Sequence, residues 1–147
     1  NKAYRSSEEI VKYANNVLNI DNIIAIRRGK KEPVIIREED NLYSEMSSDI
    51  DICKNNKGSL AIITKNNLEC EKIYNLFKDI GISIISNNLG KFNKEFVVLP
   101  VYMAKGLEFD NVIIYTDKDN KYNEDEKNLY YVAITRAQHK LIVYNQS

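Results

Sequence analysis

The residues best suited to chemistry lie in two short segments near the C-terminal end of the chain. Met103-Ala104-Lys105-Gly106-Leu107-Glu108-Phe109-Asp110 puts a cation, a glycine and carboxylates on a turn just before the apolar run Val112–Tyr115. Tyr131-Val132-Ala133-Ile134-Thr135-Arg136-Ala137 sets one arginine in an otherwise uncharged stretch. Gly106 allows close backbone approach to a ligand or a tight turn, and Glu108 can accept hydrogen bonds. A guanidinium delivered from such a stretch can stabilise charge on a transferring phosphoryl group, worth several orders of magnitude in rate. Each feature also has a plainer reading. A Gly-containing connection with a solvated Glu108 needs no ligand, and a cation at a helix C-terminus gains about 0.3–1 kcal/mol by itself.

Three stretches occur in a fixed order along almost the whole chain: Tyr4-Arg5-Ser6-Ser7-Glu8-Glu9-Ile10, Lys105-Gly106-Leu107-Glu108-Phe109 and Val132-Ala133-Ile134-Thr135-Arg136-Ala137. Together they resemble the second motor domain of superfamily 1 helicases, the UvrD/Rep/PcrA group, and within it the HelD-like branch most closely. The resemblance implies an α/β, RecA-like domain of the P-loop NTPase type, a parallel sheet flanked by helices. It implies that Arg136 and Arg5 reach a γ-phosphate and that Glu108 accepts from an ATP ribose beside Gly106. Lys105 would contact phosphate, nucleic-acid backbone or only neighbouring carboxylates. The implied cofactors are ATP and Mg²⁺, and the implied partners are an N-terminal motor domain of the same parent chain and DNA.

The chain departs from that pattern at Pro100 and Tyr102, where UvrD-type relatives carry a Thr and a His that engage the DNA strand. Tyr102 could still stack on a base, a contact worth about 1–3 kcal/mol. HelD-like proteins tolerate this change and act on RNA polymerase, so an ATP-driven polymerase-remodelling role is the alternative. A noncatalytic α/β interaction module is a third. The sequence contains no Gly-x-x-x-x-Gly-Lys-Ser/Thr phosphate loop and no acidic Mg²⁺ motif after a strand, so the main phosphate cradle must be supplied by another domain.

The elements that must position these residues follow from alternating β-branched and helical patterns, as expected of a parallel sheet covered by helices. Ser6 with Glu9 forms a capping box for a first helix whose stripe is Ile10, Val11, Ala14, Val17 and Leu18. Strands are expected at Ile23–Ile26 and Val34–Ile36, with Arg27-Arg28-Gly29-Lys30-Lys31 as a basic turn between them, either solvated or touching nucleic acid or a partner. A polar helix spans Tyr43–Asn55 and a buried strand Leu60–Thr64. Asn66 caps the next helix, with Leu68, Ile73, Leu76, Phe77 and Ile80 facing the sheet, and Gly81 closes it in a left-handed conformation. Strands follow at Ile82–Ile85 and Phe96–Val101, joined by a polar turn, Asn87–Lys94, too short for the accessory domain that UvrD-type helicases insert there. Pro100 cannot donate to a ladder and belongs at a strand end or edge. The turn at Gly106–Glu108 is expected beyond the carboxyl ends of the strands, where parallel sheets collect ligands. Asp117–Glu126 reads as a solvated acidic loop whose Glu124, Asp125 and Glu126 suit a following helix N-terminus. Leu129–Thr135 favours strand by propensity and helix by its flanks; the family resemblance assigns a helix, with Arg136 on the face of Val132 and Ala133, and Gln138 and His139 beyond it as orienting or packing residues.

Composition fits this picture. The 147 residues suffice for one domain, read as residues 1–147 of a longer protein because the chain opens without Met and meets its first motif at once. Lys+Arg and Asp+Glu are both 21, so any nucleic-acid track must be local. Cys53 and Cys70 share no metal-ligand spacing with His139 and read as reduced thiols on helices. No apolar run approaches membrane-spanning length, and a cytoplasmic parent and a monomeric domain are expected. Expressed alone, the chain should therefore fold but bind ATP and single-stranded DNA too weakly to matter, as calorimetry and fluorescence anisotropy at physiological salt can measure. Micromolar ATP affinity or any ATP turnover would overturn this.

Overall fold

The central strands are apolar on both faces, and the chain folds them into a sheet covered on both sides. A computed structural model describes residues 7–18, 34–85 and 95–147, and residues 2–4 and 23–25 by their backbone alone. The expected Ser6 cap, the Arg27–Lys31 turn, the Asn87–Lys94 turn and Arg5 lie outside the described residues.

The strands are β1 (Lys2–Tyr4), β2 (Ile23–Ala25), β3 (Ile35–Arg37), β4 (Leu60–Thr64), β5 (Ser83–Ile84), β6 (Phe96–Pro100), β7 (Phe109–Tyr115) and β8 (Ala137–Tyr144). The helices are α1 (Glu8–Leu18), α2 (Leu42–Asn55), α3 (Asn67–Phe77) and α4 (Lys127–Ile134). A six-stranded sheet has the order β3-β8-β7-β4-β6-β5 with every pairing parallel, while β1 and β2 form a separate parallel pair. Every residue of β4 and β6 is buried, as parallel strands covered on both faces require.

Side chains alternate between two cores with the period of two that a pleated strand imposes. Ala61, Ile63, Val97, Leu99, Val112, Ile114, Leu141 and Val143 meet Ile10 and Ala14 of α1 and Ala133 and Ile134 of α4. Leu60, Ile62, Val98, Ile113, Tyr115, Ile142 and Tyr144 meet Met46, Ile50 and Cys53 of α2 and Cys70, Ile73 and Phe77 of α3. Both cysteines are buried free thiols, and burial pushes Cys70 up to about 12, far from thiolate chemistry.

Local signals explain most boundaries. Asn66 accepts from the Glu69 amide at 2.9 Å while Glu69 reaches back to the Asn66 amide at 3.2 Å, a complete capping box. Gly81 adopts φ +96°, ending the helix as expected. Pro100 is the last residue of β6, where its missing N–H costs no ladder bond. Two members of the expected α3 stripe do not face the sheet: Leu68 is 77% exposed and Ile80 47% exposed. Leu68 sits in the first turn just past the cap, and Ile80 falls in a tighter 3₁₀ turn (Lys78–Ile80) whose period turns it off the apolar face. Glu69 is buried in their place because its carboxylate also accepts from the amides of Lys65 and Asp117.

β8 was not expected after Arg136, although Leu141-Ile142-Val143-Tyr144 carries the β-branched signal. It lies between β3 and β7, and its final hydroxyl completes a buried polar joint. Tyr144 donates to Asp49 Oδ2 at 2.5 Å, and Arg37 grips the same carboxylate through Nε at 2.8 Å and Nη2 at 2.7 Å. Asp49 is fully buried, so removing it strands the Tyr144 hydroxyl and frees the Arg37 charge. Asp49→Ala should cost about 2–4 kcal/mol in urea unfolding, whereas Leu68→Ala should stay within about 0.5 kcal/mol of wild type.

Candidate functional site

The chain leaves β6 at Pro100 on the carboxyl edge of the sheet and enters β7 at Phe109 on the amino edge. It crosses the sheet without an α-helix, held down by Val101, Ala104 and Phe109, which are buried in the α1/α4 core. This corrects the expectation that the glycine turn lies beyond the carboxyl ends: the crossing carries it to the amino ends of β7 and β8. Gly106 adopts φ +82°, the left-handed conformation that disfavours other residues, and a Cβ there would meet nothing within 4 Å. Conformation alone calls for the glycine, and the space beyond it is open. Lys105 and Glu108 are both exposed on this turn.

The second motif arrives at the same edge. The Phe109 amide donates to the Arg136 carbonyl at 2.8 Å, and Gln138 Nε2 donates to Glu108 Oε2 at 2.5 Å. The Ser7 amide, at the head of α1, donates to the Gln138 carbonyl at 2.9 Å. Glu108, Arg136 and the start of α1 therefore share one end of the sheet. Arg5 is two residues before Ser7 in sequence and outside the described residues.

Arg136 does not stay on the helical face of Val132 and Ala133. α4 ends at Ile134, and Arg136 occupies the turn into β8. The half-buried guanidinium bonds back to the end of its own helix, Nε to the Val132 carbonyl at 3.2 Å and Nη2 to Thr135 Oγ1 at 3.3 Å. The Val132 carbonyl lies at the negative end of the helix dipole, which favours a cation there. Tyr102 lies at the opposite end of the molecule, 54% exposed, with its hydroxyl donating to Asn67 Oδ1 at 3.1 Å at the head of α3.

An irregular ladder shapes the amino edge. Phe109 pairs with Ala137 but Asn111 pairs with Lys140, so Gln138 and His139 on β8 oppose Asp110 alone on β7. Such a bulge re-aims side chains and is uncommon between parallel strands. Gln138 meets Glu108, and His139 Nε2 lies 3.4 Å from Asp110 Oδ1. Ser59, Asp110 and His139 are not a nucleophilic triad, because Asp110 sits between the other two: Oδ2 accepts from the Ser59 amide at 2.9 Å and the Ser59 hydroxyl at 3.2 Å. No spacing in the sequence announces the Gln138–Glu108 or Ser59–Asp110 pairs. Among the described residues, no cluster of His, Cys, Asp or Glu could hold a metal ion.

Residues 95–144 match the UvrD-like helicase C-terminal domain. The chain is also similar to the crystal structure of the C-terminal domain of a possible DNA helicase from Lactobacillus plantarum WCFS1, with a TM-score of 0.77 and 26% identity over 97% of this chain and 87% of that one. A further similarity, 48% identity over 46 residues, is to the Gabija protein GajB of Bacillus cereus (strain VD045). That stretch is 31% of this chain and only 9% of the relative. The α/β fold, a parallel sheet flanked by helices, thus matches that of the C-terminal domain of this possible DNA helicase. Among the described residues, no helix is long and apolar enough to cross a membrane.

The loop before α4 is less solvated than its composition suggests. Tyr122 is buried, and Lys65 reaches Glu126 Oε1 at 2.6 Å. The Lys65 ammonium holds the Glu126 carboxyl below the usual carboxylate range. A depressed folded pKa stabilises above the unfolded value and is lost as pH falls through the folded one. The advantage of wild type over Glu126→Gln, up to about 1 kcal/mol, should be fully present above the ordinary glutamate pKa of about 4.3 and be lost as pH falls below it in urea titrations.

Proposed function

We propose that this chain is the second motor domain of an ATP-dependent superfamily 1 DNA helicase or translocase. It would close over ATP and Mg²⁺ held mainly by a first motor domain of the same parent protein. The observation that carries the reading is the convergence of the Gly106–Glu108 turn, Arg136 and the head of α1 on one sheet edge, from motifs far apart in sequence. The match over residues 95–144 and the likeness to a helicase C-terminal domain support it.

The residues at that edge fit a nucleotide. Glu108 is exposed and can accept from ribose hydroxyls, and open space beyond Gly106 permits close backbone approach. ATP with its metal supplies the transferable phosphoryl group; the chain supplies positioning and positive charge. Arg136 reaches the Val132 carbonyl and the Thr135 hydroxyl from the turn into β8, half-buried at the same edge as Glu108. Arg37, by contrast, is locked on the buried carboxylate of Asp49 at the other edge. Arg5 would act with Arg136 at the γ-phosphate, and Lys105 would lend charge from the turn. Tyr102, at the other end of the crossing, would stack on a base, so that closure at one edge moves a nucleic-acid contact at the other.

In the full-length parent, Arg136→Ala should leave ATP affinity within a few-fold and lower kcat by about 10³-fold. Steady-state ATPase measurements decide this, and a variant within tenfold of wild type would remove Arg136 from the phosphoryl site. Strand displacement by the wild-type protein supports the helicase assignment; ATP-dependent binding to RNA polymerase without strand displacement would move it to HelD-like remodelling.

A further inference from the structure

Gln138 is tied on both sides of its peptide. Its carbonyl receives the Ser7 amide, its side-chain amide donates to Glu108 at 2.5 Å, and it stands two positions after Arg136 in the bulge of β8. Without the extra residue of the bulge, regular pairing would give Asp110 a single partner and leave no second side chain to lean toward the turn. Glu108 is exposed, and a glutamate on a turn samples many rotamers unless something holds it. A hydrogen bond to a charged acceptor is the stronger kind and orients a carboxylate. It occupies Oε2 and leaves Oε1 to accept from an approaching hydroxyl.

We propose that Gln138 is a positioning residue that holds Glu108 in the orientation that accepts the nucleotide's ribose hydroxyls, and that the β8 bulge exists to place it. The proposal rests on the nucleotide reading given above. Because Gln138 acts through Glu108 alone, its effect depends on the ribose hydroxyls and not on the phosphoryl chemistry of Arg136. Gln138→Met keeps the length and removes the donor; Gln138→Lys is one bond longer and restores a donor on a flexible stem.

In the full-length parent, Gln138→Met should raise KM for ATP by about five- to tenfold with kcat within twofold. With 2′,3′-dideoxy-ATP, wild type and Gln138→Met should coincide. Gln138→Lys should return KM for ATP to within about twofold of wild type, and Gln138→Met on a Glu108→Ala background should add nothing further. Equal losses with both nucleotides, a fall in kcat of tenfold or more, or unchanged KM for ATP would each overturn the positioning role while the ATPase itself stands. A wild-type protein that hydrolyses no ATP would instead remove the nucleotide reading beneath it.

Discussion

The short crossing from Pro100 to Phe109 is the constraint on which the rest of the arrangement depends. β6 and β7 run parallel on either side of β4, so the chain must return the full length of the sheet between them, and most such returns are made by a helix. Here a short segment of one 3₁₀ turn (Val101–Met103) and a second turn closed by the Leu107 amide on the Ala104 carbonyl makes it, pinned by Val101, Ala104 and Phe109 in the α1/α4 core. A strand of this length spans about 17 Å, so the two ends of one motif are delivered to opposite edges. Tyr102 stays beside α3, and Glu108 lands beside β8. Gly106 permits the left-handed step that completes the crossing.

Burial on both faces makes the sheet rigid, and its polar connections are confined to the edges. At the carboxyl edge, the Tyr115 hydroxyl lies within hydrogen-bond distance of Asp117, Glu39 and Lys72, while Tyr144 binds Asp49. Burial raises both phenols well above their ordinary range, with the neighbouring carboxylates adding to the effect, so they remain donors at any physiological pH. At the amino edge, Ser59 and Asp110 exchange bonds between the starts of β4 and β7, and a Cβ added at Gly58 would fall 2.4 Å from Asp110 Oδ2. These contacts fix the strand starts that carry Glu108 and Arg136.

A division of labour follows from that geometry. The amino edge presents a turn, a carboxylate and a half-buried guanidinium; the carboxyl edge presents an exposed tyrosine at the head of a helix.

Much of this was legible in the sequence. The continuous apolar runs Leu60–Thr64 and Val112–Tyr115, the Asn66 cap with Glu69, and Gly81 each encode a local conformation, and those elements formed where local chemistry places them. The motif strings named the candidate residues as well. Other features depended on neighbours distant in the chain. Leu68 has the residue type of a core position, yet it projects past the sheet; Glu69 has the type of a surface position, yet distant amides bury it. The turn at Gly106 reaches the amino edge because of where β7 must begin relative to β4 and β8, a matter of register across strands. Glu108 and Gln138 meet only because a bulge in that register turns one toward the other. Local conformational preference is written in adjacent residues, so the sequence by itself determined the elements and their signature residues; which of those residues touch is set by pairing and packing between distant segments, and only the tertiary structure decided it.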